Sequence, residues 1–277
     1  MTKPYAEVIG DPISHSKSPL IHNFWLEKLG IDADYRACDV RPEELADYFD
    51  ARRQDADWRG CNVTIPHKEK VQAYLDGLDS KAQAVGAVNC VYRNADGLLV
   101  GTNTDVDGVG DALSGIGLAG QVACVIGAGG AARSAFSVLA GKQCGSVFLM
   151  ARDPQKAVKV AQACGLPGVG TPLEAGTRAL KEGMLLVNAT QLGMTGQPAM
   201  PGFVLSELVD MAQGAAVFDM VYAPLETELL AAAKRAGLRT VDGLVMLIGQ
   251  AASAFAHFFG KIPPRQHDDQ LRRLLTQ

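Results

Sequence analysis

Hydrophobic and polar positions fall into short runs along the first hundred residues. Ala6-Glu-Val-Ile-Gly10 reads as a strand that ends in the turn Asp11-Pro12. Ile13 to Leu20 is a polar loop, Ile-Ser-His-Ser-Lys-Ser-Pro-Leu. Pro19 suits a first helical turn with Ser18 as N-cap, and the helix continues over 21–29 until Gly30 stops it. A second strand is predicted over 35–40 and a second helix over 42–49. Trp58 to Ile65 predicts a third strand, closed by Pro66, and a helical pattern follows over 68–75. Segments 87–92 and 98–100 flank Arg93-Asn-Ala-Asp-Gly97, a hairpin turn. This half therefore mixes strands and helices, with one antiparallel pair.

From residue 122 the pattern is more regular. Apolar runs at 122–126, 146–150, 184–188, 216–220 and 239–241 alternate with segments long enough for crossover helices. That alternation predicts a parallel, doubly wound sheet. The final helical stretch, 246–259, is too apolar to lie alone on a surface, so it is expected to pack back on the first domain. The expected fold class is α/β with two domains. One spans 1–104 with a mostly parallel sheet and takes back the segment 242–277. The other, 105–241, is a Rossmann domain.

A chain of 277 residues suits two domains, and 48% hydrophobic with 20% charged residues suits a well-packed soluble protein. A net charge of -4 and a pI of 5.7 provide no basic footprint for nucleic acid. The richest apolar stretch, 244–259, is interrupted by Gln250, Ser253 and His257, so no membrane span is expected. The start, Met1 to Tyr5, lacks the apolar core of a signal peptide. The six cysteines are scattered and form no CxxC pair, which fits reduced thiols in a cytoplasmic protein. A monomer or homodimer acting on a small molecule is the expected form.

Two constellations carry candidate chemistry. Gly127-Ala128-Gly129-Gly130-Ala131 follows an apolar strand and opens an Ala-rich helix. Glycine permits the tight turn and the approach of backbone to a pyrophosphate, and the small Ala132 lets helix pack on strand. The next strand ends in Ala151-Arg152-Asp153-Pro154, with Lys156 nearby. An Arg there favours the 2′-phosphate of NADP, and a carboxylate favours the ribose of NAD. Asp153 also reads as an N-cap with Pro154 in the first helical position. NADP is the preferred reading and NAD the alternative. In the first domain, small polar residues gather in short loops: Ser14, Ser16 and Ser18; Asn62 and Thr64; Asn89; and Thr102 to Asp105. If the strands before them are parallel neighbours, the loops converge and suit an oxygen-rich ligand.

Together these blocks resemble the shikimate dehydrogenase family. The resemblance rests on Gly10-Asp-Pro-Ile-Ser-His-Ser-Lys-Ser-Pro-Leu20, Gly60-Cys-Asn-Val-Thr-Ile-Pro-His-Lys68, Gly86-Ala-Val-Asn-Cys90 and Gly101-Thr-Asn-Thr-Asp-Val-Asp-Gly108. Further along it rests on Val125-Ile-Gly-Ala-Gly-Gly-Ala-Ala-Arg133, Asn188-Ala-Thr190, Asp219-Met-Val-Tyr222 and Gly249-Gln-Ala-Ala252. It implies NADPH-dependent, reversible reduction of 3-dehydroshikimate to shikimate in chorismate and aromatic amino-acid biosynthesis. It also implies that Ser16 and Ser18 hold the substrate carboxylate. Asn62, Thr64, Asn89, Asp105, Tyr222 and Gln250 would contact the rest of the substrate. Lys68 and Asp105 would be the catalytic pair. Thr190, Met220 and Gly243 would lie along the nicotinamide half, beside the phosphate turn 127–131 and the ribose readers Arg152 and Asp153.

The implied chemistry is self-consistent. Hydride delivered to a ketone carbon builds charge on oxygen, and an ammonium can stabilise that charge and donate a proton. Lys68 would be that acid, held by Asp105, with no metal needed. His15 and His67 flank the loops but read as residues that orient neighbours, and His257 as a core histidine. The chain departs from the family pattern at Ala151 and Asp153, at Gln191 after Thr190, and at Ala223 after Tyr222. These departures keep an NAD-linked quinate/shikimate dehydrogenase as the alternative. A non-catalytic sensor of pathway metabolites is the rival from another class.

Overall fold

The structure is a computed structural model and describes residues 3–277. Met1 and Thr2, at the start of the segment expected to carry no signal-peptide core, lie outside the described residues. The chain divides into two compact units, Met1–Asp107 with Ile248–Gln277 and Gly108–Leu247. Both boundaries fall just inside helices rather than in linkers. No helix among the described residues is long and apolar enough to cross a membrane.

In unit 1 the strands are β1 (Tyr5–Gly10), β2 (Asp34–Asp39), β3 (Trp58–Val63), β4 (Gly77–Leu78), β5 (Cys90–Arg93) and β6 (Leu99–Thr102). They form one sheet in the order β2-β1-β3-β5-β6-β4. β1 runs parallel to β2 and β3, while β5 runs antiparallel to both β3 and β6. The helices are α1 (Ser18–Leu29), α2 (Leu45–Gln54), α3 (Ser80–Val85) and α4 (Asp105–Ala112), the last passing into unit 2. Tyr48, Phe49, Trp58, Cys61, Val63 and Leu99 form the core on one face. Aromatic rings of Trp25, Tyr35, Phe255 and Phe258 group around His22 elsewhere in the unit.

Several boundaries differ from the sequence reading. Lys17 takes the N-cap position of α1 without a side-chain bond, and Ser18 is the first helical residue. The 68–75 helix is reduced to a 3-10 turn, Lys70–Tyr74. Pro66 has no N–H to donate and restrains Ile65, so the chain turns at 65–69 before winding. β4 and α3 were not anticipated; each is too short to show a period.

Unit 2 holds β7 (Val122–Ile126), β8 (Ser146–Met150), β9 (Val169–Thr171), β10 (Gly183–Asn188), β11 (Ala216–Asp219) and β12 (Arg239–Val241). All pair in parallel in the order β12-β11-β10-β7-β8-β9. Counted from β7 this is the 3-2-1-4-5-6 order of a Rossmann sheet, whose switch point lies between β7 and β10. The crossover helices include α5 (Gly130–Gly141), α6 (Pro154–Ala163), α7 (Leu173–Gly176), α8 (Gly202–Glu207) and α9 (Glu228–Arg235). Successive side chains of β7 serve opposite faces, as the strand period requires. Ala123 and Val125 join the core that contains Phe136 and Leu139, whereas Cys124 and Ile126 join the core of Leu180, Val204 and Leu229. Burial on both faces explains why these strands read as continuous apolar runs. β9 was missed because Val-Gly-Thr is too short to register.

The last long helix, α10 (Gly243–Phe259), starts in unit 2 and continues in unit 1. Its C-terminal part brings Phe255 and Phe258 to the His22 cluster of unit 1. A final helix, α11 (Asp268–Leu275), buries Leu271 and Leu275. All six cysteines are free thiols.

Candidate active site

One constellation lies in unit 1. Lys68 sits in the turn after β3, and Asp105 is the first residue of α4. Lys68 Nζ donates to Asp105 Oδ2 at 2.6 Å, and both side chains are mostly covered, at 24% and 11% exposed. Asn89 Nδ2 donates to the other oxygen, Oδ1, at 2.8 Å and to Thr104 Oγ1 at 3.1 Å. Thr104 N donates back to Asn89 Oδ1 at 2.6 Å, so both ends of the Asn89 amide are fixed. Thr104 Oγ1 lies 3.5 Å from Gln250 Oε1, which brings the returning helix to the group.

The sheet explains why residues far apart in sequence meet. β5 runs antiparallel to its neighbours, so its first residue, Cys90, pairs with Asn62 at the end of β3 and Thr102 at the end of β6. Asn89 therefore precedes its strand, whereas each polar loop was expected to follow one, and the condition of parallel neighbours does not hold for β5. Convergence is reached because the start of an antiparallel strand lies beside the ends of its neighbours. Asn62 Nδ2 donates to Asn89 O at 3.3 Å, and Thr64 N donates to Ile9 O at 3.0 Å. Ser18 N donates to Ser16 Oγ at 3.3 Å, and Ile13 N donates to Asp39 Oδ1, which ties the serine loop to the end of β2.

The second constellation lies in unit 2, in a cleft of about 770 Å³ at the ends of β7, β8 and β10. Gly127, Ala128, Gly129, Arg152, Asp153 and Thr190 are among its lining residues. Gly127 has φ +107°, and a Cβ there would stand 2.7 Å from Thr190 Cγ2, so only glycine fits. A Cβ on Gly129 or Gly130 would meet no protein atom within 4 Å. The first turn of α5, with Ala131, thus presents unhindered backbone N–H groups, as anion binding requires. Asp153 caps α6, accepting from Lys156 N at 3.0 Å, with Pro154 in the first helical position.

Beside that cleft, Asn188 Oδ1 accepts from Thr190 Oγ1 at 2.7 Å, and Asn188 Nδ2 donates to Asp219 Oδ1 at 2.9 Å. Asp219 is fully buried and also accepts from Val221 N and Thr227 Oγ1. Burial pushes its carboxyl above the usual range, against the pull of those three donors. This lattice fixes the strand ends that carry Thr190 and Met220. Gly243 belongs to the same region: a Cβ on it would lie 2.4 Å from Met220 O. Tyr222 is 37% exposed and belongs to unit 2.

Sequence reasoning assigned no role to several residues in these lattices. Asp219, Thr227 and Tyr35 are among them, and nothing in their local sequence signals the bonds they make. Tyr35 OH donates to Asn62 Oδ1 at 2.6 Å, both residues being buried. His67 is buried with Nε2 2.6 Å from Val40 O, an orienting contact for the turn before Lys68. His15 is exposed. His257 is half-buried and stacks on Tyr92, rather than lying in the core.

Comparison with known proteins supplies a family. A model of the shikimate dehydrogenase substrate binding domain matches residues 8–91, and one of the shikimate 5'-dehydrogenase C-terminal domain matches 243–268. The chain is 49% identical over 273 residues to a shikimate dehydrogenase (NADP(+)) of Sphingopyxis alaskensis, covering 99% of this chain and 97% of the relative. Among solved structures it is similar to shikimate 5-dehydrogenase from Thermus thermophilus in complex with NADP(H) and shikimate. That match has a TM-score of 0.83 and 36% identity, covering 98% and 99% of the two chains. It is also similar to quinate dehydrogenase from Corynebacterium glutamicum in complex with NAD, at TM-score 0.87 and 29% identity over 99% of each chain.

Proposed function

Because the chain belongs to the shikimate dehydrogenase family, we propose that it catalyses the reversible, NADPH-dependent reduction of 3-dehydroshikimate to shikimate. The observation that carries this reading is the Lys68–Asp105 pair at 2.6 Å, with Asn89 on the second carboxylate oxygen. NADPH, when bound, would supply the hydride. Lys68 donates a proton from Nζ to the ketone oxygen as that oxygen gains charge, and removes it in the reverse direction. Asp105 Oδ2 aims the ammonium, and Asn89 keeps the carboxylate from turning. Ser16 and Ser18 bind the substrate carboxylate. Asn62, Thr64, Asn89, Asp105 and Gln250 bind the remainder of the substrate.

The cleft of unit 2 fits a dinucleotide. Its glycine turn lacks the Cβ atoms that would fill the phosphate position. In this reading 127–131 hold the pyrophosphate, while Thr190, Met220 and Gly243 lie along the nicotinamide half. Arg152 binds the 2′-phosphate, since one oxygen of Asp153 is already engaged in the helix cap. The free thiols suit a cytoplasmic compartment, and the residues named require only one chain, so a monomer or homodimer suffices.

The second reading is NAD-linked oxidation of quinate or shikimate. It draws on the carboxylate at the end of β8 and on the similarity to quinate dehydrogenase. Initial rates with shikimate and quinate, each with NADP and NAD, decide between them. Shikimate with NADP is expected to be fastest. Absence of NADP-linked turnover of shikimate would refute the proposal.

A further inference from the structure

Tyr35 lies in β2, two strands away from β3 and outside every block that carried the resemblance. It is 2% exposed, and its ring is stacked on His22 with centroids 4.0 Å apart and planes 4° from parallel. Its hydroxyl bonds Asn62 Oδ1 at 2.6 Å. The direction of that bond follows from the other end of the amide. Asn62 Nδ2 faces the carbonyl of Asn89, which can only accept, so nitrogen must point there and oxygen toward Tyr35. The phenol then spends its single proton on Asn62.

We propose that Tyr35 is a positioning residue for the substrate site, locking the Asn62 amide so that its N–H groups, and not its oxygen, serve the Asn89–Asp105–Lys68 cluster. The inference rests on the functional reading above and deepens it. Asn62 has two amide protons, and Asn89 O takes one of them. The other is left for an oxygen of the ligand, next to a Lys68 donor and an Asp105 acceptor. An amide free to flip would present oxygen half the time, and would meet a hydroxylated ring with the wrong polarity. The His22 stack holds the Tyr35 ring through an imidazole that burial keeps neutral.

Two measurements on the full-length protein test this. In the first, kcat/KM for shikimate is measured for wild type, Tyr35→Phe, Asn62→Ala and the double variant. Tyr35→Phe keeps the stack and is expected to lower kcat/KM roughly tenfold, the worth of one lost polar contact, with KM for NADP unchanged. In the Asn62→Ala background the same change is expected to have no further effect. Additive losses, or an equal loss in NADP KM, would overturn the proposal. In the second, the Asn62 side-chain amide signal, assigned by its absence in Asn62→Ala, is followed by NMR without ligand. It is expected to shift and broaden in Tyr35→Phe, and an unchanged signal would overturn the clamp. Because this spectrum needs no turnover, a protein inactive on shikimate with the signal changed as expected refutes the functional reading alone.

Discussion

The two candidate sites are built in opposite ways. In unit 1 the chemistry is carried by side chains that hold one another: Lys68 on Asp105, Asn89 on Asp105 and Thr104, Tyr35 on Asn62. In unit 2 the cleft is shaped mainly by backbone, and its defining feature is the absence of a side chain at Gly127 and Gly129. A side-chain site gains orientation from a connected network, in which every bond removes a rotamer. A backbone site gains it from φ and ψ values that few residues can adopt. The first should therefore fail in rate when one member is removed, and the second in geometry when one atom is added.

The largest effect is expected in the first site. Lys68→Ala should lower kcat by about 10²–10⁴-fold, the range for loss of a general acid, with little change in NADP affinity. A loss within about tenfold would end the acid–base assignment. The counterpart in unit 2 is Gly127→Ala. Its methyl would press on Thr190 at a φ of +107°, costing about 1–3 kcal/mol of stability in urea unfolding and weakening NADP binding. Unchanged stability would show that the turn is softer than its contacts imply.

Acid should also separate the units. All five histidines belong to unit 1. His22 is buried with neither ring nitrogen bonded, and desolvation lowers its pKa from 6.5 to about 3. A base whose pKa falls on folding leaves the unfolded chain holding more protons, so its contribution is complete above pH 6.5 and shrinks as pH drops toward 3. The slope is about 1.4 kcal/mol per pH unit, or about 2 kcal/mol between pH 6.5 and 5. Burial lowers the half-buried His257 in the same direction. Asp219 in unit 2 has the reverse sign, because a carboxyl raised on folding gains stability as pH falls. Amides of unit 1 should therefore exchange faster first on acidification, and His22→Phe, which keeps a ring against Tyr35, should flatten that response. Equal acceleration in both units would contradict it.

The smallest effect concerns the ribose. Asp153→Ala should cost about 1 kcal/mol through the lost cap of α6, without altering the ratio of NADP to NAD rates. A change in that ratio would make Asp153 a reader of the cofactor as well as a cap.

Much of unit 2 was legible because its signals are local. A strand buried on both faces is a continuous apolar run, a glycine turn between strand and helix is a fixed spacing, and Asp153-Pro154 is a cap written in two residues. Unit 1 was less legible for an equally physical reason. Lys68 falls in a turn where Pro66 interrupts the helical pattern, and Asn89 reaches the cluster only through an antiparallel strand. Tyr35 and Thr227 carry no local mark at all, since a buried hydroxyl has the same sequence signature as any strand or cap residue.

By itself the sequence determined the α/β alternation, the parallel sheet of unit 2, the phosphate turn and the cap after β8. Each depends on residues within one element or its immediate flank. Only the tertiary structure decided that Lys68 and Asp105, 37 residues apart, meet at 2.6 Å. It alone decided which end of Asn89 and Asn62 faces which partner, and that an unmarked tyrosine holds the second of these. Those outcomes depend on strand order and direction across a sheet, where the neighbours of a residue are set by pairing rather than by sequence distance.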